Sequence, residues 1–350
     1  MSRIPGAEAA ETIQTTFLAS GLPAFAVVGR DVLAELARVS DSAAVGRYGL
    51  LDSAGAVVAA FPYDPRAVYG SADGSMDGSG LPSVGDDAAG PAEAPVDSRA
   101  FLRVGAFAAW NRYAALSRLL VGAGRVLAAE TSLPARGFRA IVNSRLPEKR
   151  LAVLAGLGFV GRSSLVVTDA YGPACILGAL LLPPGFPVEA AALSADPARL
   201  AAGAGCGACR ACADACPTGA IAGGFDTGRC IQYWTARPGE VPEPVRIAWG
   251  DRLYGCDACV AACPHSARAW TEDERGSSPA GRAADLVLPA ERRPGTYVSA
   301  RFFEEATDEE IRYYLRKTAL GMSWIGAAEL RRNARLSVAR PFRASYDPGI

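Results

Sequence analysis

The chain has a single histidine in 350 residues, His265. That excludes zinc and non-haem iron sites built on several imidazoles, and a Ser-His-Asp triad unless His265 itself serves. Lysine is nearly as scarce: Lys149 and Lys317 are the only two, and every other basic residue is arginine. The codon bias of a GC-rich genome accounts for that usage, although any one arginine can fork a phosphate or a carboxylate. Net charge is also lacking, with 36 basic against 36 acidic residues, so no overall field draws the chain to DNA or a membrane surface. No uncharged apolar run reaches the roughly 18 residues that a spanning helix needs. The start, MSRIPGAEAAETIQTTFLAS, carries Glu8 and Glu11 and no basic region ahead of an apolar core. It does not read as a signal peptide, and the cytoplasm is the expected location.

Cysteine, by contrast, is abundant, with nine residues. In a cytoplasmic chain that number argues for metal rather than disulfides. The first group reads Cys206-x2-Cys209-x2-Cys212-x3-Cys216-Pro217, the run of bacterial ferredoxins. Three thiolates two residues apart wrap one face of a cubane, and the fourth points away toward a neighbouring cluster. The second group is Cys230, then Cys256-x2-Cys259-x3-Cys263-Pro264. Two-cluster logic assigns Cys206, Cys209, Cys212 and Cys263 to one 4Fe–4S cluster, and Cys216, Cys230, Cys256 and Cys259 to the other. A pair of zinc knuckles would use compact sets of four without that exchange between halves. Cys175 is left over in an apolar run and reads as a small buried hydrophobe. His265 is either an ordinary packing residue or a hydrogen-bond donor near a cluster sulfur.

Around this module the pattern predicts helix over 7–50, a strand at 57–61 stopped by Pro62, and a loop over 70–98 rich in Gly, Ser, Asp and Pro. A helical stripe runs through 99–130, with Phe107, Trp110, Tyr113, Leu116, Leu119 and Leu120 read as core positions ahead of a cofactor box. Strands are expected at 138–142, 164–168 and 175–182, and a helix at 148–157 closing at Gly158. The fold class is thus an α/β (α+β) domain over 1–199, a ferredoxin-like module over 200–270, and a loop with a helical tail over 271–350. In that tail a helix begins at the capping box Thr307–Glu310. Arg331, Arg332, Arg335, Arg340 and Arg343 form either a solvated helix face or a phosphate contact.

The order of an α/β domain, CGACRACADACPTGAI, GRCIQYW and RLYGCDACVAACP resembles the epoxyqueuosine reductase family, and LAVLAGLGFVGRSSLVV is similar to that family's glycine-containing segment. The resemblance implies two 4Fe–4S clusters and a cobalamin whose cobalt a cluster reduces, with epoxide-type C–O cleavage in a tRNA nucleoside. It implies an external electron donor of flavodoxin or ferredoxin type, and tRNA as a partner. Carried onto this chain, it implies cofactor contacts from Ser144, Arg145, Gly158, Gly161, Arg162, Gln232 and Tyr254. For Asn143, Ser144, Arg145 and Glu148 a capped turn with solvated charges is the competing reading, and for Gly156, Gly158 and Gly161 it is a helix cap followed by a turn. The family's proton-donating aspartate falls at Asn143, a neutral amide that cannot act as a general acid. Either Glu148 or a tyrosine then supplies the proton, or the chemistry differs, and the segment Asn143–Lys149 resembles a paralogous branch of the family. Two other functions compete: an electron-transfer or corrinoid-binding accessory, and an RNA-binding protein with clusters as scaffold.

Overall fold

The computed structural model describes residues 6–65, 101–109, 111–188, 196–269, 297–316, 318–321 and 325–338. The loop expected over 70–98, Trp110, Lys317, Arg340 and Arg343 lie outside the described residues.

Helix α1 (Gly6–Ala19) ends before Gly21, which takes φ 75°. The helical expectation for 7–50 is corrected next, because strand β1 (Phe25–Gly29) precedes helices α2 (Arg30–Arg38) and α3 (Ser42–Tyr48). The strand exists through pairing with β2 (Gly55–Pro62), Phe25 opposite Ala59 and Gly29 opposite Gly55. A partner strand decides the conformation of such a short apolar run.

With β4 (Arg139–Val142) and β7 (Cys175–Leu182), these strands make a sheet of order β1-β2-β7-β4, antiparallel throughout. Every residue of β2 is buried. Its alternate side chains feed two cores. Val57, Ala59 and Phe61 pack with Leu180 and Leu182 against α1 and against α4 (Arg112–Thr131). Ala56 and Val58 pack with Ala179 and Leu181 against α2, α3 and α5 (Glu148–Leu154). Burying each Leu, Val or Phe is worth roughly 1.5–3 kcal/mol. The mixed α/β architecture expected of this region is what forms.

Two boundaries differ from expectation. The stripe at 99–130 is helical only from Arg112, since Phe101–Val104 forms strand β3. Helix α5 stops at Leu154, Gly156 takes φ 81°, and Gly158 opens a hairpin of β5 (Gly158–Val160) and β6 (Val166–Thr168). A side chain on Gly158 would strike the Val167 carbonyl, so glycine there serves the strand approach.

A second sheet has the order β8-β3-β9, with β8 (Arg252–Tyr254) parallel and β9 (Tyr297–Ser299) antiparallel to β3. The cysteine segment carries the short helices α6 (Ala211–Asp214), α7 (Ile231–Thr235), α8 (Glu243–Ile247), α9 (Ala258–Ala261) and α10 (Pro264–Ala269). Three helices follow β9: α11 (Ala300–Glu305), α12 (Asp308–Leu315) and α13 (Ala327–Val338). The capping box forms as expected, with Thr307 and Glu310 each satisfying the other's backbone.

These last helices are no loose tail. Phe303, Ile311 and Leu330 share one core with Leu102 and Val104 of β3 and Leu253 of β8. Asn333 donates to the carbonyls of Thr235 and Leu253, both at 2.8 Å. Arg332 donates to the carbonyls of Trp234 at 2.6 Å, Arg237 at 2.6 Å and Gly239 at 2.8 Å. Arg331 binds Asp308 and the Ala306 carbonyl. Arg331 and Arg332 therefore brace the fold.

Candidate iron–sulfur centre and adjoining cavity

The eight cysteines of the two motifs sit at the ends of short helices. Cys212 lies in α6 and Cys259 in α9, two helices that pack on each other. Cys230 caps α7, and Cys263 directly precedes α10. Their electrostatic neighbourhoods sort them. Burial pushes the Cys212 thiol up, and Cys206, Cys263 and Cys209 push in the same direction. Burial likewise raises Cys263, opposed by the His265 and Ser266 N–H groups, with Cys206 and Cys209 adding to the rise. Cys230 is raised by burial, and its charged neighbours are Cys256 and Cys216. Cys259 is raised by burial, then by Cys256 and Cys230, with Cys212 a weaker link across the groups. The thiols fall into one quartet of 206, 209, 212 and 263 and another of 216, 230, 256 and 259.

Burial and neighbouring sulfurs disfavour the thiolate of Cys212, Cys230, Cys259 and Cys263, and since thiolate is the ligating form a cationic core is what would offset that cost. Among the described residues no three such groups converge closely enough to hold a single metal ion. Backbone amides complete the setting. Those of Tyr233 and Gln232 reach the Cys230 sulfur, as those of His265 and Ser266 reach Cys263. His265 thus approaches a quartet through its backbone. Its ring instead meets Phe159 edge-on at 5.8 Å, and Nδ1 faces Arg268 Nη2 at 2.6 Å.

A partly open cavity of about 380 Å³ lies against the second quartet. All of Cys216, Cys230, Cys256 and Cys259 line it, and no member of the first quartet does. Its opposite wall comes from the main α/β region: Tyr63, Phe107, Tyr113, Lys149, Ser163, Ser164 and Cys175. Lys149 Nζ donates to the Ser164 carbonyl at 2.9 Å; desolvation lowers its pKa, opposed by Cys230 and Cys259. Burial pushes the Cys175 thiol up to about 12, so it stays neutral. Asp257 is 3% exposed; its Oδ2 accepts the Ala106 N–H at 2.7 Å, while Oδ1 has no hydrogen-bond partner among the described residues. Burial raises this carboxyl to about 6 against the pull of the Ala106 N–H, Arg103, Arg252 and Arg112.

The site residues expected from sequence fare unevenly. Gln232 lines the cavity, and its buried Oε1 has no partner among the described residues. Asn143 and Glu148 do not line it. Asn143 sits at φ 53°, and the two oxygens of Glu148 accept the N–H groups of Asn143 at 3.1 Å and Ser144 at 2.6 Å. Ser144 Oγ accepts the Leu146 N–H, and Arg145 is exposed. These four residues build a capped turn. Gly158 and Gly161 belong to the β5–β6 hairpin, a Gly161 side chain meeting Val167 first, then the Leu165 carbonyl and the Cys206 sulfur. Arg162 donates to the Gly207 carbonyl at 2.7 Å, and Tyr254 is buried beside Phe107. Sequence reading missed Asp257, Lys149, Tyr63 and the Ser163–Ser164 pair. Asp257 carried a usable signal, as an acid set between two ligand-type cysteines.

Comparison with known proteins agrees with this geometry. Residues 205–266 match the family of 4Fe-4S double cluster binding domains. This part of the chain is a double-cluster iron–sulfur module, with two 4Fe–4S clusters as its cofactors. The chain is 40% identical to the epoxyqueuosine reductase of Pseudomonas aeruginosa over 102 residues, 28% of this chain and 26% of that protein. It is 39% identical to the epoxyqueuosine reductase of Escherichia coli over 110 residues, 30% of this chain and 26% of that one. The match spans about a quarter of the length of these curated relatives. In three dimensions, the epoxyqueuosine reductase of Bacillus subtilis, with its catalytic loop swung out of the active site, superposes with a TM-score of 0.62 at 20% identity. That superposition covers 95% of this chain and 82% of the other. The chain thus resembles epoxyqueuosine reductases in sequence over roughly a hundred residues and in fold over nearly its whole length.

Proposed function

We propose that the protein is an iron–sulfur oxidoreductase of epoxyqueuosine reductase type, passing electrons from an outer cluster to an inner one and from there into the cavity. The outer cluster is held by Cys206, Cys209, Cys212 and Cys263, and the inner by Cys216, Cys230, Cys256 and Cys259. One observation carries this reading: all four cysteines of one quartet line the cavity and none of the other does. A series of centres ending at a ligand-sized cavity is arranged to reduce what binds there.

The resemblance implies a corrinoid at this cavity. Two features support its fit. Among the described residues Gln232 Oε1 and Asp257 Oδ1 are buried acceptors without donors, and the amide arms around a corrin ring are donors. The tyrosine and phenylalanine walls suit a large flat ligand. Bound there, a corrinoid supplies the low-potential cobalt chemistry that C–O cleavage requires. The chain's own residues hold and orient: Lys149, with its stem along the wall and its ammonium on the Ser164 carbonyl, offers the cavity a cation. Tyr63 and Tyr113 keep their phenolic protons, since burial pushes both well above the ordinary value.

A structure of an epoxyqueuosine reductase with an epoxyqueuosine-modified tRNA-Tyr stem loop also shares this fold, with a TM-score of 0.63, 20% identity and coverage of 95% and 81%. An epoxide on a tRNA nucleoside is accordingly the first substrate to test. Anaerobically purified protein is expected to carry about eight irons per chain, four to each cluster, and to take up cobalamin with a change in corrinoid absorption. Conversion of epoxyqueuosine in tRNA from cells without their own reductase is then assayed for the wild type and Asn143→Asp, with the variant expected to be faster. Full iron without corrinoid uptake or turnover would leave the electron-transfer accessory as the function.

A further inference from the structure

Electrons that leave at the cavity must enter elsewhere, and the first quartet reaches the surface at one point. Cys209 is the exposed thiol; the other cysteines are partly buried. Gly207, Ala208, Cys209 and Arg210 are exposed in succession. Gly207 takes φ 54°, and a side chain there would meet nothing within 4 Å, so the loop over the sulfurs lies open to an approaching body.

Three arginines surround this opening. Arg210 follows Cys209 and stands 3.6 Å from Asp214, both well exposed. Arg162 is fixed to the Gly207 carbonyl. Arg268 holds the ring of His265, which rests on Phe159, the ring packed at Gly205 beside Cys206. Against these stand Asp214 and Asp169, the latter acting on His265. The rim is basic in balance although the whole chain is neutral.

We propose that the Gly207–Arg210 loop, flanked by Arg162, Arg210 and Arg268, is the docking face for a small acidic one-electron carrier protein. The inference rests on the double-cluster reading above and extends it to the partner. One electron passes from the carrier's reduced centre to the outer cluster. The carrier is left oxidised by one electron and the cluster reduced by one, with no bond or proton exchanged. Opposite charge at the rim raises the encounter rate and orients the carrier over Cys209.

The test is anaerobic stopped-flow reduction of the holoprotein by flavodoxin hydroquinone, at low and high salt, for the wild type and the Arg210→Glu, Arg268→Glu double variant. Photoreduced 5-deazariboflavin, which is uncharged, serves as the second reductant. The double variant is expected to be reduced about tenfold more slowly by flavodoxin at low salt, with the gap closing as salt shortens the screening length. Its reduction by the neutral flavin is expected to be unchanged. Equal flavodoxin rates for both proteins would overturn the docking face. Iron content is measured first, and Arg210→Gln, Arg268→Gln replaces the double variant if that one loses iron. A wild type without two reducible clusters would instead overturn the double-cluster reading, so the two failures are distinguishable.

Discussion

Asp257 reaches across 151 positions of sequence to accept the Ala106 N–H at 2.7 Å. It thereby ties the loop after β3 to the turn between Cys256 and Cys259. Asp257→Asn can still accept that hydrogen bond, whereas Asp257→Ala leaves a buried donor bare, at a cost of about 1–3 kcal/mol. Denaturant unfolding of the holoprotein should therefore show the alanine variant clearly weaker than the asparagine one. Equal loss in both would mean that the charge, not the bond, matters.

The Asn143 turn gives a pH prediction. Burial raises the Glu148 carboxyl above its ordinary value of 4.5, although the Ser144 and Asn143 N–H groups oppose the shift. The folded chain therefore holds this proton more tightly than the unfolded chain does. Its contribution to stability is complete below 4.5 and is lost as pH rises through the raised value. Wild-type stability should fall over that interval, and Glu148→Gln should remove the corresponding slope. A variant curve parallel to the wild type would contradict this.

The two quartets should be separable by mutation. Cys206→Ser is expected to lose the outer cluster while the inner one still takes an electron from a small reductant. Cys256→Ser should do the reverse and abolish turnover at the cavity. Cys175→Ala should leave iron content at the wild-type level, since its neutral thiol belongs to neither group. Iron analysis with electron paramagnetic resonance spectra of each variant decides the matter.

Arg332 satisfies the carbonyls of Trp234, Arg237 and Gly239 at once. Arg332→Ala removes three charge-assisted bonds whose acceptors then depend on water, an expected loss of about 1.5–3 kcal/mol. Because the clamped segment follows Cys230, faster release of iron to a chelator should accompany the loss. Unchanged iron release would show that the segment holds without its clamp.

Much of the metal chemistry was legible in the sequence because cluster ligation is local. Two- and three-residue spacings are set by how a short turn meets a cubane, and proline after Cys216 and Cys263 marks the end of each turn. The run Cys175–Leu182 and the capping box at Thr307 were legible for the same reason, each being a pattern complete within a few residues. The cavity was not. Its wall draws Tyr63 from the end of β2, Phe107 and Tyr113 from either side of the α4 start, Lys149 from α5 and Ser163 from the hairpin turn. Nothing in the local pattern relates these positions. Strand β1 escaped because five residues show too little periodicity to tell strand from helix. Asn143 and Glu148 drew attention through a resemblance, the turn they build standing behind the cavity wall, where Glu148 acts on Tyr113.

The sheet β8-β3-β9 has a further meaning for how this molecule can be cut. Its strand β3 comes from the first third of the chain while β8 and β9 come from the last, on either side of residue 270, so a fragment spanning only 200–270 would carry off one strand and expose the raw edge where β3 lay. Unlike a free-standing ferredoxin, the cubane-bearing portion is woven into its neighbours, and storing electrons and folding become a single undertaking for the polypeptide.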